Sequence, residues 1–352
     1  MPDKRLVFAY PGDLQTLTGG YGYDRRVIAG LAANGWDVRP LSLGPGFPFP
    51  SRKTLQAVDA SLSALPDDTV VIIDGLAYGV VDQAAEKHGK RLRLIALVHH
   101  PLCRENGLPS DVAARLQASE SAALSHARHV IVTSPATAAQ IEDLFAISKD
   151  AISIAFPGTE LPVAGSKASE GPLRLLSIGT VTQRKGYDLL FKALSHLKEM
   201  DWHLDVVGGL EADPGCVAAL KEQIKSLELT GRITFHGAVP QEQLSRHYLL
   251  ADVFVLASRY EGYGMAYTEA LAHGLPVIGS GAGAVEDTLS VGGAIYCGVE
   301  DVEALTAALS NLMSDPEARQ RLATEARDAA HSLPSWEDAV KIFETVMEKV
   351  AQ

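Results

Sequence analysis

The sequence predicts an α/β protein built from two Rossmann-like, doubly wound domains. Three observations carry that expectation. Short apolar runs rich in β-branched residues alternate with helix-like segments along most of the chain, the pattern of parallel sheets covered on both faces. These runs are too many for one comfortable sheet, and 352 residues exceed one typical domain. The stretch from Phe156 to Pro172, "FPGTELPVAGSKASEGP", has no periodicity, is rich in Pro, Gly, Ser and Ala, and separates the runs into two sets as a linker would.

Before the linker the strand-like runs are "RLVFAY", "TVVIID", "LRLIALV", "HVIVTS" and "AISIAF". After it come "LRLLSIG", "WHLDVVG", "RITFHG", "DVFVLAS" and "PVIGS". From Ala304 to Met347 the pattern turns helical and breaks at Pro334. Ser335 is placed to cap a last amphipathic helix carrying Val340, Ile342, Phe343, Val346 and Met347. The expected organisation is therefore a first domain over residues 1–163, a second over 164–334 and a terminal helix over 335–352.

With 47% hydrophobic and 21% charged residues, both cores should be well filled. The apolar runs fall far short of the ~20 residues a membrane span needs. The N-terminus enters a strand directly without an apolar leader, so a cytoplasmic chain with at most peripheral membrane association is expected. Cys103, Cys216 and Cys297 form no C-x-x-C pair, and buried apolar roles suit them. A net charge of -12 argues against nonspecific nucleic-acid binding. The charge is uneven: residues 1–160 hold 15 basic and 17 acidic side chains, leaving 16 and 26 for the rest. The near-neutral first half is the better candidate to meet an anionic surface, against plain surface drift.

Ligands of open α/β sheets lie beyond the carboxyl ends of the strands, where loops enter helices. In "GTVTQRKGYDLLFKALSHL", Arg184 and Lys185 stand just before a helix. A helix N-terminus disfavours cations unless an anion lies among them, so the pair points to a phosphate or diphosphate. In "SRYEGYGMAYTEALAHG", Glu261 lies in a loop and a helix runs from near Gly264 to Gly274. Gly262 and Gly264 let the "GYG" backbone approach a ligand, and Glu269, one to two turns in, leans back toward the same mouth. Carboxylates suit hydroxyls better than phosphate, so the two stretches together read as a site for diphosphate plus polyol, a nucleotide sugar. In "TGGYGYDRRVIAGLAANGW", Gly19, Gly20 and Gly22 open a helix ending near Asn34 and Gly35. The spacing is not the dinucleotide fingerprint, so this is a close-approach loop or a plain turn. His99 and His100 follow "LIALV", where one could face a ligand or pack internally. No neighbouring carboxylate or cysteine cluster in sequence completes a metal set around them.

These residues resemble family 4 glycosyltransferases, the retaining, nucleotide-sugar-dependent enzymes of the GT-B fold, whose two domains face a central cleft. The resemblance covers nearly the whole chain and is strongest from Leu173 to Ala284, where "SRYEGYGMAYTEALAHGLPVIGS" matches the family signature. It implies that Glu261 and the backbone of Gly262, Tyr263, Gly264 and Met265 hold the donor sugar and phosphate, and that Glu269 holds the ribose. Lys185 matches the diphosphate lysine. Thr180 stands where the family often has an arginine, a position Arg184 would have to cover. "RITFHGAVP" is similar to the base-lining segment, through Phe235, Gly237 and Val239. Gly20 and His99 match contributions of the first domain, and the terminal helix resembles one that crosses back onto that domain. The implied reaction transfers a sugar from a UDP- or GDP-sugar to an acceptor hydroxyl with retention, without a cofactor or metal. The acceptor, a lipid, saccharide or small molecule, would be chosen by loops such as "LGPGFPFPSRKT" and "PLCRENGLPS". A GT-B epimerase, a phosphorylase and a non-catalytic nucleotide-sugar-binding protein are the alternatives.

Overall fold

The computed structural model describes residues 4–162 and 171–351. The chain divides into two compact units: Met1–Gly158 together with Pro334–Gln352, and Thr159–Leu333. The division falls at Gly158, whereas the expected boundary between residues 163 and 164 lies outside the described residues.

The first unit is built on β1 (Arg5–Tyr10), β2 (Asp37–Ser42), β3 (Val70–Asp74), β4 (Arg93–Val98), β5 (His129–Val132) and β6 (Ile152–Ile154). They form one parallel sheet in the order β2-β1-β3-β4-β5-β6. β3 is buried along its whole length, as an interior strand under helices on both faces must be. The polar edge strand β2, "DVRPLS", is absent from the strands the sequence announces. Its Pro40 is tolerated because an edge strand forgoes one ladder partner. The helix Gly19–Ala33 follows β1 and packs on the terminal helix Trp336–Ala351. The contact is close: a Cβ on Gly30 would lie 2.4 Å from Val340 Cγ2. Ser335 Oγ accepts from the Asp338 N–H at 3.1 Å, and Val340, Phe343, Val346 and Met347 are buried, so the terminal helix belongs to this unit's core.

The second unit carries β7 (Leu173–Ile178), β8 (Trp202–Val207), β9 (Ile233–Gly237), β10 (Val253–Leu256), β11 (Tyr260–Glu261), β12 (Val277–Gly279), β13 (Ala282–Gly283) and β14 (Ala294–Tyr296). Six of them form a parallel sheet in the order β14-β12-β10-β7-β8-β9, and β11 pairs with β13 alone. Alternate residues leave each strand for opposite faces. Leu175, Val206, Val255 and Ile278 join one core with Leu190 and Phe191. Leu176, Val207, Phe254 and Val277 join the other with Tyr267 and Leu271. Among the described residues no helix is long and apolar enough to cross a membrane.

Candidate active site

The turn leaving β7 sets the first part of the site. A 3₁₀ turn, Gln183–Lys185, leads into Gly186, which adopts the left-handed conformation (φ 61°) and starts the helix Tyr187–Ser195. Arg184 and Lys185 thus sit at the positive end of that helix, and the anion among them is a carboxylate of the protein itself. Lys185 Nζ lies 2.5 Å from Glu261 Oε1, and Arg184 Nη1 lies 3.1 Å from Oε2. Arg184 also donates to the Tyr260 carbonyl at 2.9 Å. Ser258 Oγ donates to Glu261 Oε1 at 2.5 Å. Glu261, expected in a loop, lies in β11, where pairing with β13 fixes its backbone, and its side chain is only 7% exposed. The carboxylate therefore answers the cations first, and a sugar hydroxyl can only share its remaining lone pairs. Two cations against one anion leave a net positive charge beside a helix N-terminus, an arrangement suited to a phosphate oxygen.

Burial alone would raise the Glu261 carboxyl, but the charges of Lys185 and Arg184 and the hydrogen bonds from Lys185 and Ser258 outweigh it and hold the group at about 2. A folded-state value below the unfolded one contributes stability above the unfolded value, lost as pH falls through the folded value. Between pH 4.5 and about 2, Glu261 should give up about 3 kcal/mol of stability. Urea unfolding of the wild type and Glu261→Gln over that range measures it. The wild type should lose the more stability on acidification, and parallel curves for the two proteins would exclude the account.

Arg259, which the sequence reading overlooked, holds the other side of the turn. It clamps Asp188 in the first helical turn with two bonds of 2.8 Å, donates to the Gln183 carbonyl at 2.6 Å and pairs with Glu300. Its only advance signal was an acidic residue placed to suit the helix N-terminus.

The "GYG" segment turns out of β11. Gly264, at φ 98°, starts the helix Met265–Ala272, and the Tyr263 carbonyl accepts from Thr288 Oγ1 at 2.7 Å. Neither this helix nor Tyr187–Ser195 has a side-chain cap among the described residues, so both begin on a left-handed glycine. Glu269 lies on the helix, and Tyr248, a second residue the sequence did not announce, donates its hydroxyl to Oε2 at 2.7 Å. Glu261 and Glu269 are thus held by different partners, the first by bases and the second by a phenol.

Gly237 ends β9 at φ 70°, with nothing within 4 Å of where a Cβ would stand. Val239 is partly buried against the Tyr248 and Phe254 core. The partly buried Phe235 ring packs on the opposite core, edge-on to Phe191 at 6.2 Å, because β9 sends alternate residues to opposite faces.

In the first unit Gly20 and His99 come together, since a Cβ on Gly20 would stand 3.8 Å from the His99 ring. The carboxylates that local sequence did not supply arrive from elsewhere in the chain. His99 Nε2 lies 3.2 Å from Asp74 Oδ2, at the end of β3, and 3.7 Å from Asp24 Oδ1, on the helix Gly19–Ala33. Both aspartates are buried, and among the described residues neither Asp24 oxygen has a hydrogen-bond partner. Burial opposes the charged imidazole, but Asp24 and Asp74 outweigh it and raise His99 to about 10. Burial and Asp74 raise the Asp24 carboxyl in turn. The two carboxylates therefore favour the protonated form of the ring. The neighbouring His100 pairs with Glu105 at 3.2 Å instead.

The family model described as glycosyl transferases group 1 matches residues 163–329. Over 169 residues the chain is 34% identical to mannosylfructose-phosphate synthase of Agrobacterium fabrum, covering 46% of this chain and 37% of that protein. Over 174 residues it is 30% identical to the GDP-mannose-dependent alpha-(1-6)-phosphatidylinositol monomannoside mannosyltransferase of Mycolicibacterium smegmatis, covering 46% and 44%. The chain thus spans about two-fifths of the length of these relatives. Its fold matches sucrose-phosphate synthase from Thermosynechococcus elongatus with a TM-score of 0.82 over 98% of this chain and 99% of that one, at 20% identity.

Proposed function

We propose that this chain, whose second unit makes it a member of the group 1 glycosyltransferases on a GT-B fold, moves a sugar from a UDP- or GDP-sugar to an acceptor hydroxyl with retention at the anomeric carbon. The observation that carries this reading is the Arg184 and Lys185 pair held at a helix N-terminus with one positive charge in excess. That charge meets the diphosphate as it leaves. Because the electrostatic stabiliser is aimed at the group where charge develops, it lowers the barrier rather than only tightening ground-state binding.

The remaining roles are those the family resemblance implies. The Glu261 carboxylate and the backbone from Gly262 to Met265 hold the transferred sugar, while Glu269, oriented by the Tyr248 hydroxyl, accepts from the ribose hydroxyls. Gly237 and Val239 line the base. In the first unit, His99, paired with Asp24 and Asp74, is the positive group and has the Gly20 backbone beside it. The acceptor attacks the anomeric carbon on the face the phosphate leaves, and a departing phosphate oxygen takes the acceptor's proton. The C–O bond to the new sugar forms as the bond to phosphate breaks. Acceptors of the lipid, polysaccharide or other glycoconjugate class fit this reaction.

A melting-temperature scan against UDP- and GDP-sugars, with NAD as the control, tests the donor class. At least one nucleotide sugar should stabilise the protein, and stabilisation by none, or by NAD alone, overturns the reading. Leaving-group charge is met by side chains in this scheme, so transfer should persist in EDTA. Strict Mg²⁺ dependence would contradict it.

A further inference from the structure

On β8 and β9 of its sheet, the second unit gathers a polar cluster that the transfer chemistry does not use. We propose that Asp205, His236 and His247 form a binding site for a divalent transition-metal cation of the Zn²⁺ class, which ties the helix Gln241–Leu250 to the edge strand β9.

The placement of these residues departs from the pattern around them. On β8, Leu204 and Val206 enter one core while Val207 enters the other, and Asp205 lies on the Val207 face. β9 is the edge of the sheet and carries an irregularity there. Its register passes from Val206↔Phe235 to Val207↔Gly237, leaving His236 as the extra residue of a bulge. Bulges re-aim side chains, and this one brings His236 Nε2 to 2.6 Å from Asp205 Oδ1. From the covering helix His247 reaches the same point, its ring centroid 4.6 Å from that of His236. One donor atom from each of the three residues lies within 4.8 Å of the others.

The carboxylate is divided in the way a ligand requires. Asp205 Oδ2 is held by Arg174 Nη2 at 2.7 Å, which fixes its orientation and leaves Oδ1 facing the imidazoles. His203 stays outside the set: its Nε2 lies 3.8 Å from Oδ1 and bonds instead to Thr234 Oγ1 at 3.0 Å. Donors bound at ~2.0–2.1 Å in a tetrahedron stand roughly 3.3 Å apart, so the Asp205 and His236 atoms need to open by less than an ångström. Partial exposure of His236 (28%) allows that rotation. Two imidazole nitrogens and one carboxylate oxygen select Zn²⁺ and its neighbours over Mg²⁺ or Ca²⁺, which want oxygen. Arg174 and Asp205 cancel in charge, so affinity rests on the imidazoles, and metal would bridge the two elements that flank Gly237 to Pro240.

Isothermal titration of the full chain with ZnCl₂, with MgCl₂ as comparator and a thermal melt in parallel, tests this. A single equivalent of Zn²⁺ should bind and raise the melting temperature, and Mg²⁺ should do neither. His236→Gln and His247→Gln, both partly exposed and outside the cores, should each weaken Zn²⁺ binding by at least ~10-fold and melt like the metal-free wild type. Asp74→Asn, which disrupts the other His and Asp cluster, should leave Zn²⁺ binding as it was. Absence of Zn²⁺ binding, unchanged binding in both histidine variants, or loss of binding in Asp74→Asn alone would each overturn the proposal.

Discussion

Lys185→Ala is expected to lower kcat by ~10²–10³-fold while leaving the protein folded, the loss typical of removing one group aimed at developing charge. The charge count explains the size. With Lys185, Arg184 and Glu261 together the turn holds one excess positive charge, and without Lys185 it holds none. In the proposed transfer the departing diphosphate would then meet a neutral site beside a helix N-terminus instead of a cationic one. The fold survives because Glu261 is not left alone: Arg184 still reaches Oε2 and Ser258 still donates to Oε1. Lys185→Arg, which keeps the charge but changes the donor's shape and reach, should fall between the two. Turnover assays on the donor found by the melting scan, with circular dichroism and melting curves of each variant, separate activity from folding. Near-normal turnover of Lys185→Ala would remove Lys185 from the mechanism.

The sequence disclosed the interior of this molecule better than its edges. β3, β4, β7 and β10 are apolar runs because helices cover both of their faces, and each is visible in composition alone. The edge strands β2 and β14 and the two-residue pair β11 and β13 are not, being short or polar, whereas the edge strands β6 and β9 still showed as "AISIAF" and "RITFHG". The site shows the same division. Arg184, Lys185, Gly264 and Glu269 were legible from their position at helix starts. The residues that fix them, Ser258, Arg259, Tyr248 and, for His99, Asp24 and Asp74, come from strand ends and helices remote in sequence. The place of Phe235 in a matching segment did not reveal which face of β9 it takes. Glu261 was found by its residue type, and its ion pairs were hidden because the cations lie on another turn.

Gly186→Ala should be among the most destabilising single substitutions in the second unit, costing ~3–5 kcal/mol from an unfavourable backbone plus a steric clash. Gly186 has φ 61°, a conformation that costs an L-residue with a side chain about 1 kcal/mol. Gly231, in the same unit at φ 84°, isolates that term: nothing lies within 4 Å of its missing Cβ, so Gly231→Ala should cost about 1 kcal/mol and no more. At Gly186 the added carbon would stand 1.9 Å from the Ala257 carbonyl oxygen and 2.9 Å from its carbonyl carbon. Those are buried backbone atoms at the end of β10, which cannot rotate away as a side chain would. Relief requires parting the Arg184 and Lys185 turn from the segment that carries Ser258, Arg259 and Glu261, which breaks the Arg259 bond to the Gln183 carbonyl and the pairing with Glu261 together. Stability and donor binding should therefore fail together in Gly186→Ala and stay nearly intact in Gly231→Ala. Urea midpoints at constant m-value, with donor-induced shifts in melting temperature for each variant, read both effects. Equal midpoints for the two glycine variants would show that the turn yields without strain and that its close approach to Ala257 does not hold the cations in place.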